Sequence, residues 1–222
     1  MRLVFMHHSA VEFATPHCIG QTDVALSMAG KSTLKSLAEE ACRLLPDRVL
    51  SSDLKRCRLL AEQIAGRLRI KPVFDPIWRE IDFGFWENRA WDAIQRENPE
   101  AFSEWAADFV TKPAPGGESF LQLQKRILTA VSEIDPISRN VLVVTHAGVI
   151  RAAYSAFTNL PLSRAFDHHV PYGGMLNVEI NFSKPRRLSR SFALPVSPSW
   201  PVVGRASIGE PRFGLRARFC KW

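Results

Sequence analysis

The stretch Val141-Leu142-Val143-Val144-Thr145-His146-Ala147-Gly148 decides the architecture. Four apolar residues run on without alternation, as in a strand covered on both faces, and stop at a polar pair followed by small residues that open a helix. A strand of that kind belongs to a parallel sheet flanked by helices. Arg2–Met6 reads the same way at the start of the chain, and Arg48–Leu50 is a shorter copy that ends at Ser51-Ser52.

Amphipathic helices fill the intervals. Ser27 N-caps a helix to about Leu45, with Leu34, Leu37, Ala38, Ala41 and Leu45 on one face. Ser52 or Asp53 caps the next, with Leu54, Leu59, Ile64 and Leu68 expected inward. Val73-Phe74 is a short extended piece before an aromatic loop, Trp78–Trp86. Residues 90–110 read as helices divided at Asn98-Pro99, with Trp91, Ile94, Phe102, Trp105 and Phe109 as their apolar face. After a loop containing Pro113, Pro115, Gly116 and Gly117, a helix runs from Glu118 to about Ile134, and a last strand, Met175–Ile180, closes the domain. Strands separated by helices indicate an α/β sandwich around a largely parallel sheet, in one domain over residues 1–182.

Composition sets the outer bounds. With 222 residues, 46% hydrophobic and 23% charged, the chain is of ordinary globular make-up. The net charge of +7 is uneven: residues 183–222 hold nine Lys or Arg against one acid, and the rest of the chain is nearly neutral. That Pro-, Ser- and Arg-rich tail reads as a disordered extension, so no specific nucleic-acid partner is expected. No apolar run is long enough to span a membrane, MRLVFMHHSA does not read as a signal peptide, and Cys18, Cys42, Cys57 and Cys220 show no metal-ligand spacing. A cytoplasmic protein is expected, with a homodimer possible.

Sites in open α/β sheets lie beyond the carboxyl ends of the strands. His7, His8 and Ser9 follow the first strand; Ser51, Ser52 and then Arg56 follow the second; His146 and a helix amino terminus follow 141–145. The aromatic loop adds Arg79, Glu80, Asp82 and Glu87. Imidazole can attack phosphorus, guanidinium matches phosphate oxygens, and a carboxylic acid can protonate a leaving oxygen. Phosphoryl transfer by such groups needs no metal. Singly, each has a plainer reading: His146 a structural hydrogen-bonding group, Arg56 a surface charge, Glu80 a partner of Arg79. The pairs His7-His8 and His168-His169 suggest no metal site, because neighbours on an extended chain diverge.

Taken in order, these segments resemble the histidine phosphatase (phosphoglycerate-mutase-like) superfamily. LVFMHHS stands where that family has a strand and Arg-His-Gly, and CIGQTDVALSMAG (Cys18 to Gly30) matches its Gly-x-x-Asp-x-x-Leu loop. SSDLKR (Ser51 to Arg56), WREIDFGFWE (Trp78 to Glu87), Gly116 to Ser119, and VVTHAGVIR (Val143 to Arg151) match four further motifs. The resemblance implies a three-layer α/β/α sandwich with a mostly parallel central sheet and a helical lid insertion around 90–110. It implies His8 as the nucleophile, Glu80 as proton donor and then base, and His146 as a catalytic group. His7, Arg56, Thr22 and His146 would bind phosphate, Glu118 would support the pocket, and no cofactor or metal would be needed.

A narrower resemblance, in CIGQTDVAL, FGFWENRAWDAI and PGGESF, is to alpha-ribazole phosphatases. These release the 5′-phosphate of alpha-ribazole phosphate in cobalamin biosynthesis, so a small phosphorylated metabolite is the expected partner. A phosphoglycerate-mutase-type phosphomutase and a non-catalytic phosphate-binding member are the alternatives. His7 falls where the family has arginine and Ser9 where it usually has glycine, which implies a slower enzyme with a more acidic optimum. Side chains alternate along a strand, so His7 and His8 share a pocket only if the strand ends there. Of Trp86, Trp91, Trp105 and Phe109, most should be core of the insertion and one or two should line the lid.

Overall fold

The computed structural model describes residues 1–12, 17–182 and 213–219. Its centre is a six-stranded sheet. β1 (Arg2–His7) is paired in parallel with β6 (Asn140–Thr145), which is paired in parallel with β3 (Arg48–Ser51), which in turn carries β4 (Val73–Phe74). On its other side β1 takes β7 (Met175–Phe182), and β7 takes β8 (Phe213–Phe219), both pairings antiparallel. A separate two-stranded ribbon joins β2 (His17–Cys18) to β5 (Arg89–Ala90).

Both faces of β1 and β6 are covered, as their unbroken apolar runs require. Leu3, Phe5, Val141 and Val143 face one cluster, with α5 (Phe120–Ser132) and α6 (Ala147–Thr158). Val4, Met6, Leu142 and Val144 face the other, with α1 (Met28–Arg43) and α2 (Lys55–Leu68). This is the three-layer sandwich. The insertion follows as α3 (Trp91–Glu97) and α4 (Pro99–Ala107), which meet at Asn98-Pro99. Trp86 is fully buried, while Trp91 and Trp105 stack at 5.6 Å and Phe102 and Phe109 pack against Trp105.

Local signals were obeyed where they concern chain ends. Ser27 accepts from the Gly30 N–H at the start of α1, and Ser119 forms a capping box with Gln122 at the start of α5. Two expectations fail on α2. Its N-cap residue is Leu54, without a side-chain cap, because Ser52 bonds His146 and Asp53 bonds Arg79. Its inward face is Leu60, Ala61 and Ile64 beside Arg56 and Cys57, so Leu59 turns outward at 42% exposure. A buried arginine sets the rotation of this helix, and apolar periodicity read without it comes out of phase. On α1, Leu45 lies beyond the helix end and is exposed.

Most of the tail read as disordered, 183–212 and 220–222, lies outside the described residues. Within it Phe213–Phe219 is strand β8. The alternation of Phe213, Leu215, Ala217 and Phe219 with Gly214, Arg216 and Arg218 is a period of two that the composition of the tail obscured. Among the described residues no helix is long and apolar enough to cross a membrane.

Candidate active site

Parallel pairing of β1, β3 and β6 brings their carboxyl ends to one edge of the sandwich, where a cavity of about 210 Å³ opens. His7, His8, Arg56, Glu80 and His146 all line it. Tyr172, Trp91, Phe83, His17 and Ile19 form much of the remaining wall.

The two neighbouring histidines share the cavity because β1 ends at His7. The His8 N–H still reaches Thr145 O at 3.0 Å, but the Gly173 N–H is divided between His7 O and His8 O, so strand alternation is broken there. The rings lie edge to face with centroids 4.5 Å apart. His8 Nδ1 donates to Ser9 O at 2.7 Å, since a carbonyl can only accept; this leaves a lone pair on Nε2. Burial, with His7 and Arg56 adding to it, holds the His8 ring well below the usual imidazole range, so the neutral, nucleophilic form is the one present.

Ser9 does not crowd the His8 ring. Its hydroxyl donates to Gly30 O at 2.6 Å and lies 2.8 Å from Thr33 Oγ1, tying the end of β1 to α1. His7 Nδ1 donates to Pro171 O at 3.0 Å, and its ring stacks on Tyr172 at 4.9 Å. Burial is the chief cause that lowers His7 to about 4.

Arg56 is buried to 1% exposure and spends its donors on the protein. Nη2 donates to Gly20 O and Nη1 to Thr22 O, each at 2.7 Å, and Nε donates to His146 Nδ1 at 3.3 Å. Two guanidinium hydrogens remain for a ligand. His146 Nε2 then carries its ring hydrogen and donates to Ser52 Oγ at 2.9 Å. Burial, followed by the Arg56 charge, keeps His146 well below the usual imidazole range. His146 thus lines the cavity with both nitrogens engaged, orienting Arg56.

Glu80 reaches the cavity from the loop after β4. Its carboxylate accepts from the Ile81 N–H at 2.9 Å and from the Gly148 N–H at 3.0 Å, the latter in the first turn of α6. Arg79 does not pair with it; that side chain grips Asp53 through two bonds, and Arg79's hydrogen bond holds the Asp53 carboxyl below the usual carboxylate range. Arg126 fixes the loop by donating to the carbonyls of Ile77, Arg79 and Glu80 while forking onto Glu118. Glu118 is therefore a support behind the pocket.

Thr22 is not brought into the cavity. Its hydroxyl donates to Glu87 Oε2 at 2.6 Å, and only its carbonyl serves the site, through Arg56. Tyr172 and Gly173 are the residues that reading forward from each strand end overlooked. β7 runs against its neighbours, so what precedes it, Pro171-Tyr172-Gly173-Gly174, arrives at the edge where the other strands finish. Among the described residues no group of three or more His, Cys, Asp or Glu is placed to hold a metal ion.

The arrangement can hold a tetrahedral anion against Arg56, attack it with His8 and exchange a proton through Glu80. The model of the histidine phosphatase superfamily (branch 1) matches residues 3–190. Phosphoserine phosphatase 1 of Hydrogenobacter thermophilus is 30% identical over 167 residues, covering 74% of this chain and 79% of that one. Adenosylcobalamin/alpha-ribazole phosphatase of Salmonella typhimurium is 26% identical over 183 residues, covering 81% and 91%. A solved mycobacterial glucosyl-3-phosphoglycerate phosphatase superposes with a TM-score of 0.70 at 26% identity, over 82% of this chain and 91% of that one. The family match, the identities and the superposition agree, and the chain belongs to branch 1 of the histidine phosphatase superfamily and is a phosphatase.

Proposed function

We propose that the protein is a phosphomonoesterase that works through a phosphohistidine at His8 on a small phosphorylated metabolite. The observation that carries this reading is the His8 ring, pinned at Nδ1 by Ser9 O and lined up in the cavity wall with Nε2 unprotonated. His8 Nε2 attacks phosphorus, and the P–O bond to the leaving group breaks. The carboxyl of Glu80 gives its proton to the departing oxygen. Glu80 then takes a proton from water, whose oxygen attacks phosphohistidine, releasing phosphate and restoring His8. Arg56 and the amino terminus of α6 stabilise negative charge on the phosphoryl oxygens.

Alpha-ribazole 5′-phosphate is the leading substrate. Supporting it are the likeness to the Salmonella enzyme and the aromatic rim of Trp91, Phe83 and Tyr172, which suits a flat ring beyond the phosphate. The scattered cysteines favour a cytoplasmic setting. A second reading, phosphate binding without turnover, draws on His7, whose neutral ring offers no permanent positive charge.

Phosphate release from alpha-ribazole 5′-phosphate, phosphoserine, glucosyl-3-phosphoglycerate and an aryl phosphate, with wild type and His8→Ala, tests all of this. Turnover lost in His8→Ala supports the phosphatase, and kcat/KM at least about tenfold higher for alpha-ribazole 5′-phosphate supports that substrate. Tight phosphate binding without turnover favours the second reading.

A further inference from the structure

The contacts around the cavity histidines fix which nitrogens carry hydrogen. Pro171 O can only accept, so His7 Nδ1 is the donor, and in a neutral ring His7 Nε2 is a lone pair. The same reasoning gives His8 a lone pair on Nε2, while both nitrogens of His146 are engaged by Arg56 and Ser52. Two neighbouring rings of the cavity wall therefore each keep a lone pair on Nε2. One of them is the attacking atom. The other belongs to a ring of the same wall and can only accept, while a dianion bound there has only acceptors to offer. Among the described residues of the wall Arg56 alone carries a permanent positive charge, so a dianion there is poorly compensated.

We infer that His7 is a proton-linked ligand of the phosphoryl group: as a tetrahedral dianion enters, His7 Nε2 takes one proton from solvent, and the new N–H donates to an anion oxygen. The inference rests on the phosphate-binding reading above. The proton is returned to solvent when phosphate leaves, so the cycle balances.

The surroundings suit a ring that charges only with its ligand. Burial first, and then the charges of Arg151 from α6 and Arg56 from α2, oppose a proton on His7 and hold it at about 4 in the free protein, against the carbonyls of Pro171 and Val170, which favour one; the His8 ring stands edge to face beside it. On the favourable side, Pro171 O keeps its bond in either state. The Tyr172 face lies nearly parallel to the ring, inclined 27°, and attracts an imidazolium. Glu80 across the cavity is the remaining carboxylate in the wall. A dianion within hydrogen-bond reach supplies the opposite charge that the free site lacks. Anion affinity should then fall as pH rises, approaching tenfold per unit where a whole proton is taken up.

Calorimetric titration of the full chain with sodium sulfate, in two buffers of different ionisation enthalpy between pH 6 and 8, counts the protons. Sulfate does not titrate in this range, so any uptake belongs to the protein; inorganic phosphate is the second probe. The expected result is close to one proton per sulfate near pH 6.5. His7→Arg and His7→Gln should bind without uptake and with a flat pH profile, and Glu80→Gln should retain both uptake and slope. Tyr172→Leu should shift the slope to lower pH. Uptake that survives in both His7 variants and vanishes in Glu80→Gln places the proton on Glu80 and overturns the proposal. Sulfate bound by wild type with no uptake overturns it while leaving the phosphate pocket intact. Failure to bind either anion overturns both.

Discussion

Gly148 donates its N–H to Glu80 Oε2 at 3.0 Å, and a methyl group placed on Gly148 would stand 2.1 Å from Glu80 Oε1. The Glu80 carboxylate, the proposed proton-transferring group, thus leans on the first turn of α6 where only a glycine leaves room. Gly148→Ala should displace Glu80 with little effect on the fold. Since general acid–base catalysis contributes about 10²–10⁴-fold, kcat should fall by about 10²-fold with KM little changed. Steady-state kinetics check this; an unchanged kcat would show that Glu80 is not the proton-transferring group.

Arg56, the proposed phosphate ligand, is also a structural tie. Arg56→Lys keeps a charge but loses the fork onto Gly20 O and Thr22 O, so kcat/KM should drop about 10²–10³-fold. Arg56→Met leaves two carbonyls and His146 Nδ1 without their donor and should also cost about 2–4 kcal/mol of stability, read from urea denaturation. A stability loss for the Lys variant as large as for Met would argue against the division.

The buried histidines make the fold sensitive to acid. His7 is lowered to about 4, and His8 and His146 lie well below their usual range, so the unfolded chain binds protons that the native one refuses. Their contribution is fully present above about pH 6.5 and declines as pH falls from there toward 4. His7 alone accounts for about 3 kcal/mol of that decline, and His8 and His146 act in the same direction. Denaturation midpoints measured at pH 7.5, 6 and 5 should fall steadily, and a His7→Gln variant should show a shallower slope. A flat profile would contradict the buried neutral state.

Ser9 holds β1 to α1 rather than guarding the His8 ring. Ser9→Ala removes the bond to Gly30 O and should destabilise the protein by about 1–2 kcal/mol. Activity at 25 °C should change by less than about twofold, since the hydroxyl touches nothing that reacts. Thermal melts and an aryl phosphate assay separate the two effects.

What the sequence disclosed, it disclosed through covalent neighbourhood and period. Val141–Thr145 and Arg2–Met6 announced strands buried on both faces, and Ser27 announced a helix start. His7, His8, Arg56, Glu80 and His146 could be assembled because each follows a strand or its loop. Thr22 looked like a ligand because it carries a hydroxyl beside the right loop, but Glu87 claims that hydroxyl in three dimensions. Leu59 was misplaced because a buried guanidinium, invisible to an apolar pattern, turns α2. Tyr172 was missed because strand direction is a pairing property, and β7 reverses.

Arg56 and Arg126 grip the chain through the carbonyls of Gly20, Thr22, Ile77, Arg79 and Glu80. Every amino acid supplies a carbonyl. The two loops that frame the cavity can therefore exchange many of their side chains while the anchoring points stay put, provided Gly20 keeps its turn and Glu80 its carboxylate. Such a scaffold can drift in the residues that meet the leaving group without losing the ones that meet phosphorus, which is how one catalytic frame can come to serve many different phosphate esters.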